Sequence, residues 1–146
     1  MQNDFKDMKK DIKTDTAPAA IGPYSQGVVL GNLVFTSGQL PIDPRTSQIE
    51  SEDIKAQTRQ SLENVKAVLE SGGASLATVV KTTCFLADLS DFAAFNEVYT
   101  DYFGLNGVPA RSCVEAARLP RDARVEIEAV AYVEAPGCES KRMMRE

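Results

Sequence analysis

Two helical segments among five strand-like segments constrain the fold of this chain more than any other feature. The first helix is predicted over residues 53–70, where apolar residues recur at helical spacing, and Gly72-Gly73 follows as a typical C-terminal stop. The second helix is predicted to begin at Ser90 as its N-cap. It carries an aromatic stripe that we interpret as core packing, formed by Phe92, Phe95, Tyr99 and Phe103.

The predicted strands are rich in β-branched and aromatic residues. A hairpin turning at Gly31-Asn32 is expected within residues 26–35, and further strands are expected over 78–87, 110–118 and 124–133. The order ββαβαββ predicts an α+β protein with one sheet and both helices on one face. Because two helices cannot cover both faces, we expect the other face to be solvated or buried against another subunit.

The two ends of the chain differ in composition from its centre. Residues 1–15 are highly charged and are expected to form a partly ordered extension. Pro136-Gly137 marks a predicted boundary, so a single domain is expected over 16–136, followed by a polar, solvated tail over 137–146.

Composition narrows the possible functions. The net charge is −5 and the pI is about 4.8, which argues against an extended nucleic-acid surface. No apolar stretch approaches the roughly 20 residues that a membrane span needs, and no targeting signal is visible, so a cytoplasmic location is expected. The cysteines are widely spaced, which makes a disulfide framework or zinc site improbable: Cys84, Cys113 and Cys138.

The chain contains no histidine. This absence removes histidine-based general base catalysis, Ser-His and Cys-His nucleophile systems, and the common zinc and iron sites. Any chemistry must use carboxylates, Arg, Lys, Tyr, Ser, Cys or backbone groups.

Alternation along the two C-terminal strands identifies the candidate reactive residues. Arg111 and Cys113 share one strand face, where Arg111 could clamp a carboxylate or form an ordinary salt bridge with a glutamate. Glu126 could orient a water or act as a general base, or it could be a solvated partner of Arg124. If the two strands pair through the turn at Pro120, arginine and carboxylate would approach each other.

Cys113 has two interpretations of its own. The nearby Arg111 could lower the pKa of its thiol, which would favour a nucleophile. A single cysteine is more often a small buried hydrophobe. Turn-rich polar segments at strand ends, over 22–27 and 37–39, could line a site.

Several segments together resemble one known family. The chain from Ala17 to Val133 is similar to the RidA/YjgF imine deaminases, most specifically over residues 109–131, which begin Pro-Ala-Arg-Ser-Cys-Val-Glu-Ala-Ala-Arg-Leu-Pro. Supporting segments are residues 22–27, Phe35-Thr-Ser-Gly-Gln39, Gln57-Thr-Arg-Gln-Ser-Leu-Glu-Asn-Val65 and Val80-Lys-Thr-Thr83.

The resemblance implies a fold and an activity. The fold is a chorismate-mutase-like α+β homotrimer with clefts between subunits. The activity is hydrolysis of 2-aminoacrylate and related enamines or imines to 2-ketoacids and ammonia, without metal or cofactor. A non-catalytic carboxylate-binding or chaperone-like protein, and an endoribonuclease or translation inhibitor, remain alternatives.

The resemblance also implies roles for individual residues. Arg111 would clamp the substrate carboxylate, and Glu126 would position or activate the attacking water. Cys113 would line the site, with its backbone helping to hold substrate. Three further positions match residues at or near the family cleft: Tyr24, Ser37 and Asn96.

Overall fold

A computed structural model describes residues 8–134, and they form one mixed sheet with two helices. The predicted tail over 137–146, Cys138 and the first seven residues lie outside the described part. The strands are β1 Lys9–Ile12, β2 Gly27–Leu30, β3 Leu33–Thr36, β4 Val79–Leu86, β5 Ala110–Glu115 and β6 Val125–Tyr132. The helices are α1 Ile54–Ser71 and α2 Phe92–Phe103.

The sheet order is β1-β2-β3-β6-β4-β5, and every neighbouring pair is antiparallel except β4 and β5. The last two strands, whose pairing was considered from the sequence, are not neighbours in the sheet, because β4 lies between β5 and β6. Between β3 and β4, the long strand β6 forms backbone hydrogen bonds along both of its edges.

The N-terminal segment also differs from expectation. Lys9–Ile12 forms an edge strand paired with β2, so this part of residues 1–15 belongs to the sheet instead of extending from it. Ile12 is buried in the hydrophobic core opposite Gly27. One apolar residue among four is too short a pattern to indicate a strand from sequence.

The first helix agrees closely with its prediction. Asp53 is the N-cap, and its carboxylate accepts a hydrogen bond from the backbone N–H of Ala56 at 2.9 Å. Gly72 ends the helix, as the Gly-Gly stop predicted. The buried side of α1 packs against β6 and β3 through apolar residues that include Leu62, Val65, Val68 and Leu69.

The second helix begins differently from its prediction. A 3-10 turn over Leu89–Asp91 precedes α2, and the N-cap of the helix is Asp91 instead of Ser90. Ser90 lies inside this turn, where its N–H donates to the Asp88 carboxylate at 2.8 Å. The carboxylate two residues earlier therefore takes the capping role that we predicted for the Ser90 hydroxyl.

Both helices lie on one face of the sheet, as predicted. On this face β6 contributes an apolar row that alternation predicted and that is buried: Val125, Ile127, Ala129 and Ala131. No helix formed by residues 8–134 covers the opposite face, which presents partly exposed apolar side chains, among them Leu30, Phe35, Val114 and Tyr132. Within residues 8–134, no helix has the length and apolar character of a bilayer span.

Candidate functional site

The first part of the site surrounds Arg111 on the edge strand β5. Arg111 pairs with Thr82 of the parallel strand β4, and its side chain lies on the helix-covered face beside α2. Its Nη1 donates a hydrogen bond to Oδ1 of Asn96 at 2.7 Å. The structure therefore brings Arg111 and Asn96 together, although 15 positions separate them in sequence.

Three aromatic rings of α2 surround the same guanidinium. Its Cζ lies 4.7 Å from the ring centroid of Tyr99, 5.4 Å from that of Phe92 and 5.7 Å from that of Phe95. All three distances fall within the range of cation–π attraction. The aromatic stripe is thus only partly the core packing that we predicted, because it also holds a cation.

Arg111 forms no ion pair with a carboxylate of the described residues. Within residues 8–134, no Asp or Glu lies within ion-pair distance of its guanidinium, whereas six other ion pairs are present. The described part of the chain therefore contains no structural salt bridge that includes Arg111. The guanidinium keeps its charge and several N–H donors for another partner.

Cys113 lies two residues along β5 on the same sheet face, opposite Cys84 of β4. Burial raises the pKa of the Cys113 thiol, and the nearby charge of Arg111 only partly opposes this. Burial therefore works against activation of the Cys113 thiol, because desolvation outweighs the effect of the cation on its pKa. Deeper burial raises the pKa of Cys84 to about 12.

The second part of the site surrounds Glu126 on β6. Glu126 pairs with Phe85 and projects from the face that carries no helix. Burial raises the pKa of its carboxyl group, and the charge of Glu128 raises it further. Glu126 does not pair with Arg124, whose guanidinium instead donates to both oxygens of Asp91 at 2.8 and 2.9 Å.

The carboxylate of Glu126 lies directly against the backbone of Gly38. A Cβ at position 38 would be 2.9 Å from Cδ of Glu126 and 3.1 Å from Cγ, with one carboxylate oxygen closer still. Only glycine leaves this space open. Gln39 anchors the segment through two backbone hydrogen bonds with Ile127, at 2.8 and 3.2 Å.

Ser37 and Tyr24 belong to the same region as Glu126. Ser37 immediately precedes Gly38, and its hydroxyl donates to the carbonyl of Ser25 at 2.5 Å. Tyr24 is the neighbour of Ser25, is 52% exposed, and accepts a long hydrogen bond from the N–H of Ile21 at 3.4 Å. A serine, a tyrosine and a glutamate therefore mark one end of the sheet.

The structure separates the six predicted site residues into two groups. Side chains alternate along the strands, so Arg111 and Glu126 lie on opposite faces of the sheet with β4 between their strands. We call the first group, on the helix face, the arginine group: Arg111, Asn96 and Cys113. We call the second group the glutamate group: Glu126, Ser37 and Tyr24.

Sequence reasoning missed two features of these groups. It noticed the aromatic stripe but gave no ring a part in the site, and it gave Gly38 no role. The signal for the rings is the spacing of the stripe, which places its members three or four residues apart on one side of the helix. Because the next strand carries Arg111, this spacing could have indicated that the rings contact the arginine. Within residues 8–134, no three His, Cys, Asp or Glu side chains lie together in a way that could hold a metal ion.

The fold and these groups define a small α+β protein. At one sheet edge it has an arginine that contacts aromatic rings and, among residues 8–134, no carboxylate, and on the other face it has a half-buried glutamate. A family model described as Endoribonuclease L-PSP matches residues 14–133. The chain belongs to the RidA/YjgF family.

Two relatives with different names illustrate the similarity. The chain is 56% identical over 126 residues to the 2-iminobutanoate/2-iminopropanoate deaminase of Salmonella typhimurium, covering 85% of this chain and 98% of that protein. It is also 56% identical over 127 residues to a RutC family protein of Pyrococcus horikoshii, covering 87% of this chain and all of the other.

A solved structure agrees in fold. The crystal structure of Escherichia coli TdcF with bound serine superposes with a TM-score of 0.80 at 51% identity, covering 86% of this chain and 99% of that one.

Proposed function

We propose that this protein hydrolyses 2-aminoacrylate/2-iminopropanoate and 2-iminobutanoate to 2-ketoacids and ammonia. The observation that carries the proposal is Arg111, a guanidinium held by neutral groups and free of any carboxylate within residues 8–134. Such a group is suited to a small carboxylate, which it can bind through two parallel, charge-assisted hydrogen bonds.

The relatives support this choice of substrate. Proteins of Salmonella typhimurium and Escherichia coli, 56% and 54% identical to this chain, are named 2-iminobutanoate/2-iminopropanoate deaminases. TdcF was crystallised with serine, which carries the same carboxylate and α-nitrogen arrangement as these imines. The proposed ligand of Arg111 is thus the chemical class named for the relatives.

The proposed chemistry requires only positioning and one base. The enamine tautomerises to an imine, and Arg111 fixes its carboxylate. Glu126 orients a water toward the imine carbon and accepts its proton as the C–O bond forms. The carbinolamine then loses ammonia, the C–N bond breaks, and the carbonyl of the 2-ketoacid remains.

The raised pKa of Glu126 suits the role of base. A carboxylate that is partly desolvated holds a proton more readily than an exposed one, and can return it to the departing nitrogen. A general base of this kind contributes on the order of 10²–10⁴-fold to a rate.

We propose that the active unit is a homotrimer, in which one protomer supplies the arginine group and its neighbour supplies the glutamate group. Two observations support this assembly. Arg111 and Glu126 lie on opposite faces within one chain, so a single chain cannot present both to one small substrate. The helix-free face carries partly exposed apolar side chains, which a second copy would cover.

The direct test is replacement of Arg111 by alanine. A pyridoxal-phosphate dehydratase generates the imine in situ, and release of ketoacid is followed with and without the protein. Arg111→Ala should lose at least about 100-fold in kcat/KM, because a charge-assisted bidentate contact is removed from the substrate. Arg118→Ala is the matched control, since Arg118 forms an exposed ion pair with Asp122.

Three results would contradict the proposal, and two of them indicate another function. Full activity in Arg111→Ala would exclude Arg111 as the clamp. Stable binding of 2-oxobutanoate without any effect on imine decay would instead indicate a non-catalytic binding protein. Cleavage of RNA by highly purified protein, lost in Glu126→Ala, would indicate an endoribonuclease.

A further inference from the structure

The rings around Arg111 do more than fill the core beneath it. Tyr99 is the closest of the three, with its centroid 4.7 Å from the guanidinium carbon. We propose that Tyr99 is a positioning residue: its ring, fixed by a hydroxyl bond to Thr82, holds the Arg111 guanidinium in the orientation that meets the substrate carboxylate. The proposal rests on the proposed function of Arg111.

The hydroxyl of Tyr99 has a specific partner. It lies 2.8 Å from the hydroxyl of Thr82, which is completely buried on β4. Thr82 is also the direct neighbour of Arg111 across the β4–β5 pairing. Thr82 therefore has two connections to this site. Its backbone pairs with that of Arg111 in the sheet, and its hydroxyl bonds Tyr99, whose ring lies against the guanidinium.

This arrangement restricts a side chain that is otherwise flexible. An arginine has several rotatable bonds, and holding it in one conformation costs entropy that must be recovered on binding. The ring of Tyr99 on one side and the amide of Asn96 at Nη1 limit the guanidinium before any ligand arrives. Arg111 is thus preorganised, with its remaining N–H donors available.

Neighbouring rings fix Tyr99 as well. Its ring contacts Phe95 at 5.6 Å and Phe103 at 4.6 Å between centroids. Burial raises the pKa of the Tyr99 hydroxyl, so it remains a neutral hydrogen-bond partner of Thr82 at physiological pH. The ring and its hydroxyl therefore act as one fixed support for the cation.

Loss of this support should weaken carboxylate binding more than it slows the chemistry. Arg111 contacts the carboxylate in both the bound imine and the transition state, so a less ordered guanidinium raises KM with kcat nearly unchanged. We expect Tyr99→Phe and Thr82→Val each to raise KM, and the Kd for 2-oxobutanoate, by about threefold to tenfold. The double variant should equal either single variant, because both remove the same bond.

Tyr102→Phe is the matched control. It removes one hydroxyl from the same helix, but that hydroxyl bonds Glu63 at 2.7 Å, away from Arg111. If Tyr99→Phe acted only through stability, it would resemble Tyr102→Phe, with a lower Tm and an unchanged KM.

A spectroscopic readout tests the positioning independently of activity. In the ligand-free protein, the Arg111 side-chain proton signals, assigned by their loss in Arg111→Lys, should be shifted upfield by the rings. Tyr99→Leu should return them toward ordinary values, and Tyr102→Phe should leave them unshifted from wild type. If Tyr99→Leu fails to fold, the Tyr99→Phe and Thr82→Val pair decides the question.

Unchanged Arg111 signals in folded Tyr99→Leu would overturn the proposal, and so would KM values in Tyr99→Phe equal to wild type. Additive effects of Tyr99→Phe and Thr82→Val would also contradict it. If the wild-type protein accelerates no imine hydrolysis but the Arg111 signals respond to Tyr99, the proposed function fails while the positioning stands.

Discussion

Replacement of Gly38 by alanine tests the role of Glu126 without altering Glu126 itself. The added methyl would lie 2.9 Å from Cδ of the Glu126 carboxyl group. Carbon atoms in ordinary contact lie about 3.5–4 Å apart, and one oxygen of the carboxyl group lies still closer to the methyl than Cδ does, so the carboxyl must retreat by at least about 1 Å. Because the obstructing atoms are the end of a flexible side chain, the backbone should keep its conformation and the protein should fold.

The expected cost is therefore catalytic. A misplacement of about 1 Å at a catalytic group can cost as much as 100-fold in rate, and we expect kcat of Gly38→Ala to fall by roughly 10- to 100-fold. The loss should not exceed that of Glu126→Gln, which removes the base entirely. Binding of 2-oxobutanoate should change little, because the carboxylate contacts Arg111 instead.

The assay is coupled imine generation with ketoacid detection, together with thermal unfolding to confirm that the fold is intact. Glu126→Asp in the Gly38→Ala background should recover part of the lost rate, since a side chain shorter by one methylene makes room for the new methyl. Wild-type kcat in a correctly folded Gly38→Ala protein would refute the placement of Glu126 as the base.

Three further predictions address pH, stability and assembly. In a pH–rate profile, the kcat/KM of the wild type should fall as the pH drops through the raised pKa of Glu126. Glu128→Gln should move this fall to lower pH, because it removes the neighbouring charge that contributes to the raised pKa. Asp53→Ala should cost about 1 kcal/mol of stability by removing the N-cap of α1, with unchanged KM, as measured by urea unfolding. Phe35→Glu should convert the assembled protein to smaller species in sedimentation, because it places a charge on the partly exposed apolar face; an unchanged mass would argue against that face as the interface.

Much of the fold was predictable from the sequence because its signals are local. The helical spacing over α1 and its glycine stop, and the apolar alternation of β6, each depend on neighbouring residues only. The edge strand β1 was missed because Ile12 is its one buried residue, and a single apolar residue gives no recognisable strand pattern. The predicted Ser90 cap was wrong because the Asp88 carboxylate caps the 3-10 turn before α2, and Ser90 lies inside that turn.

The sheet order was not predictable from local pattern. A connection of nine residues between β5 and β6 is compatible with a hairpin, yet the chain crosses β4 and inserts β6 in the centre. Pairing on both edges of β6 is a property of the whole sheet. This same order places Arg111 and Glu126 on separated strands, so the geometry of the candidate site depended on it as well.

The site residues were predictable as types but not as an arrangement. The resemblance supplied Arg111 and Glu126, and the pattern alone left both as possible surface ion pairs. Only in the folded protein does it become clear that aromatic rings and Asn96 hold Arg111, with no carboxylate among residues 8–134, and that Glu126 lies against Gly38. Long-range packing creates these contacts, and no short stretch of sequence encodes it.

The central claim is that each catalytic cleft takes Arg111 from one protomer and Glu126 from another, and mixed trimers test it directly. Arg111→Ala and Glu126→Gln proteins, each inactive alone, are produced together with different tags, and doubly tagged trimers are isolated. Random mixing would give about one functional site in four, because each site needs an intact arginine donor and an intact glutamate donor. We expect the unselected mixture, measured before the doubly tagged trimers are isolated, to recover about a quarter of the wild-type kcat/KM. Neither variant alone should recover activity. Confirmed mixed trimers that remain inactive would contradict it.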